Sequence, residues 1–477
     1  MRIAILAEAN TANQANVGDP QEVISAQAAG ELYGYGSPAH QIMRILRPAQ
    51  GGGVGSIPTV IYPQEENESA AAAARTITVT GSATANVTHT LVINGRTDVD
   101  GASYNIAVES GDAVADVAEK IAAAINAVLG APCSATSALG VVTATSKWAG
   151  VTSEELTITV NTNGNAAGLT YAVASDETGS GDPDITDALA AFGNDWNTLV
   201  VNSYNISSIL NQLETFNGIA SVSNPTGRYG ATTFKPLLAL FGSKVSTLSA
   251  ASAITDGRKD EMTNVLCPAP GSAGFSWEAA ANAAALFGPK MQNTPHLDIS
   301  GESYPDMPAP SLYASIGEFG TYDGRDAIVK VGSSTVDLIN GKYQVQDFVS
   351  TYHPVGENPA QFRYPRNIVI DWNIQYGLRI LELQNVIDHA IAGNDDIVEV
   401  ANVVKPKQWK QVLDSYALDL ASRNLIVDAA FLQDSILIQT GDTNPDRLET
   451  TFRYKRSPYA RVVSTTVEAG FAFGLSA

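Results

Sequence analysis

Residues 31 to 46, ELYGYGSPAHQIMRIL, come closest to recognisable chemistry. Gly34, Gly36 and Ala39 fit the glycine pattern that cradles a dinucleotide pyrophosphate at a helix N-terminus. That pattern needs a buried strand running straight into the glycines and an acidic residue about twenty positions further on for the ribose. Neither requirement is met. The preceding PQEVISAQAAGELYG carries Val23, Ala26 and Leu32 at mostly helical spacing, so a short helix precedes the glycines. Ser37 and Pro38 then read as N-cap and first-turn residue of a second helix, with Ile42, Ile45 and Leu46 on one face. The stretch reads as a helix-loop-helix turn, with a nucleotide loop as the alternative.

Other reactive residue types are scattered. His40, His89, His296, His353 and His389 form no HExxH and no His/Cys/Asp grouping with metal spacing; His296-Leu-Asp298 is the nearest approach to a ligand pair. GxSxG, GxxxxGK[ST] and the kinase motifs are missing. Asp395-Asp396 lie in AGNDDIVEV, which reads as a solvated turn. Cys133 and Cys267, the only cysteines, are too isolated for a CxxC pair or a disulfide framework and read as buried thiols. No cofactor, metal or catalytic residue is expected.

The elements around these residues suggest several domains, as 477 residues exceed what one core usually holds. RIAILAEA reads as a buried strand and SIPTVIYPQ, with Ile57, Val60 and Ile61, as a second. From residue 68 to 182 the composition turns to Thr, Val, Ala, Asn and Gly with period-two segments, interrupted by one helix carrying Val114, Val117, Ile121 and Ile125, with Gly130 as its C-cap. After DETGSGDPD the α/β pattern resumes in NTLVVNSY, ISSILNQLETF, PLLALFGS, NVLCPAP and the alanine-rich SWEAAANAAALFGPKM. Residues 1–67 and 183–340 therefore form one domain split by a mostly-β insertion, 68–182, and residues 341–477 form a C-terminal domain. AIVKVGSSTVDLIN and KYQVQDFVSTYH read as alternating strands. The helix after YPRN carries Tyr376, Ile380, Leu383 and Ile387 on one face, and PKQWKQVLDSYALDLASR is a second amphipathic helix. The fold class is α/β, of α+β multidomain type.

The net charge of −21 argues against direct nucleic-acid binding and against anionic membranes. Only 16% of residues are charged, against about 25% in an average protein, which suits broad protein contacts. No signal peptide and no apolar run of about eighteen residues is present, so membrane insertion is not expected and a cytoplasmic site of synthesis is. The C-terminal TTFRYKRSPYARVVSTTVEAGFAF is strand-prone, with Phe452 and Tyr454 on one side and Arg453 and Lys455 on the other. Such a strand can complete its own domain's sheet or add to a neighbour's edge.

Outside the insertion, the chain resembles the contractile tail sheath proteins of myophages and related contractile injection systems. The likeness lies in IAILAEANTANQANVGDPQEVISAQAAGELYGYGSPAHQIMRILRP, in the block from VVNSYN to PDMPAPSLYASIGEFG, and in QVQDFVSTYHPVGENPAQFRYPRNIVIDWNIQYGLRILELQNVIDHAIAG with ANVVKPKQWKQVLDSY. The resemblance implies a structural subunit and not an enzyme, with 1–67 and 183–340 as sheath core, 68–182 as outer domain, and 341–477 as inner domain ending in a strand arm. It implies a homo-oligomer that polymerises helically around a tail tube protein, meets baseplate and tail terminator proteins, and contracts to drive the tube through the host envelope. The virion tail, assembled in host cytoplasm, is the implied location. The alternatives are a non-phage injector sheath or a cytoplasmic α/β nucleotide-binding enzyme. The resemblance points to strand donation by the terminal arm, with Phe452, Tyr454, Val462 and Val463 as candidate anchors, and to Lys405, Lys407 and Lys410 as tube-facing candidates. An N-terminal arm ahead of the first strand is also usual in that family; here it is either encoded upstream of Met1 or dispensed with.

Overall fold

The apolar run after Arg2 forms β1 (Ile3–Glu8), buried at every position, as a central strand covered on both faces must be. The structure, a computed structural model, describes residues 1–221, 224–230, 233–357, 360–441, 444–461 and 463–465. Helix α1 (Ala26–Tyr33) starts at Ser25, whose Oγ accepts the Ala28 N–H at 3.1 Å. Helix α2 (Pro38–Leu46) starts at Ser37, whose Oγ accepts the His40 N–H at 3.2 Å, with proline in its first turn where a missing N–H costs nothing. β2 (Thr59–Gln64) then lies parallel to β1.

The insertion follows. β3 (Ala74–Gly81), β4 (Val87–Ile93), β5 (Asn105–Val108), α3 (Val114–Ala127), β6 (Cys133–Ala138), β7 (Val141–Ser146), β8 (Ile158–Asn161) and β9 (Leu169–Glu177) make two antiparallel sheets, ordered β9-β3-β7-β6 and β8-β4-β5. Val117, Ile121 and Ile125 of α3 enter the core they share, beside Leu91, Ile106 and Val142. The helix ends at Val128 in extended conformation, so Gly130 is not its C-cap; Gly130 instead packs near Val99 and His40.

The core resumes with β10 (Leu199–Asn202), α4 (Ser207–Asn217), β11 (Leu238–Ser243), α5 (Leu248–Thr255), β12 (Asn264–Pro268) and α6 (Ser276–Asn293). All central pairings are parallel in the order β12-β11-β10-β1-β2, and Gln21–Glu22 adds a short antiparallel edge. The two segments on either side of the insertion thus share one sheet. β1 carries β2 on one side and β10 on the other, which places a switch in strand order between β1 and β10. Alanines 279, 280, 281, 283 and 284 bury α6 almost all round.

Two strand expectations change beyond residue 310. Residues 327–330 end a helix, α7 (Tyr322–Lys330), and only β13 (Thr335–Ile339) and β14 (Lys342–Asp347) form a hairpin. The chain divides into two compact units, Met1–Val369 and Ile370–Ala477, so the boundary falls inside α8 (Pro365–Asn385) and not near residue 341. The physical reason is the hairpin's burial: the Tyr343 hydroxyl donates to the Pro270 carbonyl at 2.7 Å and the Tyr304 N–H donates to the Tyr343 carbonyl at 2.8 Å.

In the second unit, α9 (Pro406–Ser422) buries Trp409, Leu413, Ala417 and Leu420. They pack with Ile370 and Ile374 of α8. The face carrying Tyr376, Ile380 and Leu383 is the outward one, at 49%, 37% and 53% exposure, and Ile387 lies past the helix end. β15 (Ile426–Val427), α10 (Ala429–Asp434), β16 (Leu437–Thr440), β17 (Leu448–Thr451) and β18 (Lys455–Arg456) follow. The expected long terminal strand is two short ones: β17 pairs with β16 and β18 with β15.

Candidate functional site

The glycine turn is a structural joint. Gly34 ends α1 at φ 91° and Gly36 sits at φ 87°, a region open mainly to glycine. The backbone donors that a phosphate would need are taken: Gly34 N–H by the Gly30 carbonyl, Ser37 N–H by the Gly34 carbonyl, and Gly36 N–H by His40 Nδ1 at 3.1 Å. Burial, with help from Arg44, pushes the His40 imidazole down to about 4, so near neutral pH its unprotonated Nδ1 can accept. A Cβ on Gly36 would stand 2.1 Å from the Ala131 carbonyl of the insertion, so the turn is a socket into which the insertion's 130–131 loop fits. Beside it lies a cleft of about 820 Å³ lined by Asn10, Asn13, Gly34, Tyr35, Leu129 and Lys147. The Lys147 ammonium in it donates to the Leu129 and Tyr35 carbonyls at 3.0 and 3.3 Å.

That socket is one end of a seam joining insertion to core. Arg96, in the turn after β4, reaches Glu278 Oε1 at 2.9 Å and Asp306 Oδ1 at 2.6 Å. Glu278 also accepts the Phe275 N–H at 3.2 Å, so one carboxylate caps α6 and holds the insertion. Glu155 of the insertion accepts from Ser276 N–H and Lys244 Nζ, both at 2.8 Å. Trp148 packs edge-on to Phe275 and Trp277, with ring centroids 5.7 and 6.0 Å away. Beneath these rings the Trp148 Nε1–H donates to Thr152 Oγ1 at 3.0 Å, and Thr152 donates to Glu8 Oε1 at 2.6 Å. Glu8 is the last residue of β1 and Tyr204 lies just beyond β10, so the insertion's 148–152 loop sits at the carboxyl end of the strand-order switch. In open parallel sheets that crevice is the usual ligand site; here the chain's own insertion fills it.

The residues singled out in the sequence fall apart as chemistry. The His296 carbonyl accepts from Arg366 at 2.6 Å, and Asp298 is buried and accepts the Ile299 N–H at 2.7 Å. Asp396 Oδ2 accepts the Gly393 N–H at 2.6 Å, which is turn chemistry. No group of three His, Cys, Asp or Glu side chains able to hold a metal occurs among the described residues, and no described helix is long and apolar enough to cross a membrane. Cys133 and Cys267 are free and buried, and burial pushes both thiols up, Cys133 to about 12.

Of the three lysines, Lys410 pairs with Asp414 at 3.0 Å and Lys405 donates to the Asp396 carbonyl. Lys407 is the exposed one. Phe452 and Tyr454 point inward, alternating with outward Arg453 and Lys455 as the pattern predicts, but they pack on the chain's own C-terminal core. Asp371 clamps this segment: its carboxylate accepts the Tyr454 hydroxyl at 2.8 Å and Arg456 Nε at 2.7 Å. Ser457 N–H donates to the Leu425 carbonyl at 3.1 Å. Val463 is 80% exposed, and Val462 lies outside the described residues. The Arg96, Glu155 and Glu8 contacts were missed in the sequence, where no periodicity marks a polar side chain that bonds across more than a hundred positions.

No family model matches the chain. The "Mu-like prophage FluMu tail sheath protein" of Haemophilus influenzae is 23% identical over 460 residues, spanning 94% of this chain and 88% of that one. A sheath tail protein from Desulfitobacterium hafniense, of known structure, has 13% identity and a TM-score of 0.46 over 95% of both chains. The contracted baseplate of the anti-feeding prophage contains a chain with 10% identity and a TM-score of 0.50, covering 99% of this chain and 93% of that one. The fold is therefore one that occurs in that baseplate. By the near full-length sequence match, the chain is a relative of a prophage tail sheath protein.

Proposed function

We propose that this chain is a structural subunit of a contractile tail sheath, polymerising helically around a tail tube and contracting to drive the tube through a host envelope. The single observation that carries this reading is the sequence match to a prophage tail sheath protein over 94% of the chain. The physical picture agrees. A heterologous contact repeated with a rotation and a rise builds a tube from one kind of chain. Contraction needs nearly rigid subunits with two packings, and the polar and aromatic seam gives the first unit that rigidity. Enzymatic activity is not part of the proposal: the glycine turn spends its donors on its own backbone and on His40.

Neighbouring subunits, the tube and a baseplate are the proposed partners, and a tail, assembled in the host cytoplasm, the proposed location. Residues 68–182 remain the proposed outer domain and the C-terminal unit the proposed inner one. Lys407 is the strongest of the three tube-facing candidates, since Lys405 and Lys410 have partners within the chain. For strand donation the candidate segment begins after Ser457, because Phe452 and Tyr454 serve their own core.

A chain ending at Ser457 tests this. It is expected to keep the folded C-terminal unit, by its unchanged circular dichroism, and to remain monomeric in sedimentation where the full chain forms tubes. Tubes of unchanged length and number from the shortened chain would remove the terminal segment from the assembly contact.

A further inference from the structure

We propose that Glu8 is a proton-operated latch between insertion and core: the 148–152 loop is held tightly when Glu8 is protonated and loosens when Glu8 ionises. This inference concerns a single chain and stands whether or not the chain assembles.

The geometry is that of a carboxyl built to be neutral. Glu8 is 2% exposed, at the carboxyl end of the central strand, under Trp148 and against Thr152. Its Oε1 accepts from Thr152, but its Oε2 is buried with no hydrogen-bond partner among the described residues. The groups acting on the carboxyl are the Thr152 hydroxyl, the backbone N–H of Glu8 itself, the Tyr204 hydroxyl and the Glu66 carboxylate, and none of them carries a positive charge. Glu66 belongs to the same seam: its Oε1 accepts the Ala149 N–H at 2.9 Å and the Thr11 hydroxyl at 2.7 Å. An ionised Glu8 would therefore bury a negative charge beside a second one, with two hydroxyls and its own backbone N–H but no cation to compensate. The neutral acid removes that charge and gives the carboxyl a proton to donate, with the buried Tyr204 hydroxyl beside it as acceptor.

Burial, opposed by Thr152 and Tyr204 and aided by Glu66, pushes the Glu8 carboxyl up from 4.5 to about 7. The sign follows. The docked loop binds the proton and the opened one, with Glu8 in water, releases it at the ordinary carboxylate pH. The stabilisation is full below that ordinary value and is lost as pH rises through about 7.

Hydrogen exchange of the peptide spanning residues 148–153, corrected for the intrinsic pH dependence, reads the latch directly. Between about pH 5.5 and about pH 8.5 protection is expected to fall by about tenfold or more in the full-length wild-type chain. In Glu8→Gln, which is neutral at every pH, protection should stay flat. Thr152→Val removes the donor that favours the ionised form, so the midpoint of the loss should move to higher pH. An equal fall in Glu8→Gln, no fall in the wild type, or an unmoved midpoint in Thr152→Val would each overturn the proposal.

Discussion

Gly242→Ala is expected to cost the first unit about 3–5 kcal/mol, enough to drive much of the expressed chain into aggregates. A Cβ at Gly242, in β11, would stand 1.7 Å from the Ser276 carbonyl and 2.4 Å from its carbon, both backbone atoms of the first turn of α6. Neither can yield alone. α6 is buried nearly all round by its alanines, and its N-terminus is anchored by Glu278 and by the bonds of Ser276 to Glu155. Pushing α6 off the sheet would open the same seam that holds the insertion. Gly257→Ala is the control, because a Cβ there meets nothing within 4 Å and the φ is one that any residue adopts. Urea unfolding followed by circular dichroism should separate the two; coincident curves would mean that α6 is not wedged against β11.

Asp371→Ala is expected to loosen the end of the C-terminal unit by about 3 kcal/mol, the cost of taking the carboxylate away from a largely buried cation. The figure sits at the low end of such losses because the Arg456 side chain keeps 22% of its exposure, and Asp371 only 8%. The same change deprives the Tyr454 hydroxyl of its acceptor. Trypsin is a direct probe, since Arg453, Lys455 and Arg456 are cleavage sites within the clamped segment. Cleavage there should accelerate by about a hundredfold, following the population of the opened segment. Asp371→Asn, which keeps an acceptor for Tyr454 but loses the charge, should fall between. An unchanged cleavage rate in Asp371→Ala would show that β17 and β18 are held by their strand pairing, the Trp409 Nε1–Thr450 bond and apolar packing without the clamp.

These two sites also mark what the sequence could and could not say. The strands of the core are visible because Ile3–Glu8, Thr59–Gln64 and Leu199–Asn202 each hold a short apolar run, and the insertion because its composition and period change at once. Ser37 and Pro38 marked a helix start through capping chemistry that is local. Faces were harder. α8 has apolar residues at helical spacing on two sides, Tyr376, Ile380 and Leu383 on one and Ile370, Ile374, Leu378 and Leu381 on the other. Spacing identifies the helix but cannot choose between two such stripes. The terminal strand is harder for a related reason: alternation puts Phe452 and Tyr454 on one side but cannot tell which core that side enters. Least visible was the seam, whose pairs Glu8 with Thr152 and Arg96 with Glu278 are separated by 144 and 182 positions. It explains, in retrospect, why the glycine turn looks like a ligand loop. Gly36 does allow a close backbone approach, but the approaching group is the Ala131 carbonyl of the same chain.

Helical assembly separates a sheath subunit from an enzyme, and negative-stain electron microscopy of the purified chain, alone and with a tail tube protein, reads it. Long hollow tubes with regular axial striation that require the segment after Ser457 are the expected result. A chain that stays monomeric at every concentration and salt, and whose melting temperature rises saturably with a nucleotide, would contradict it.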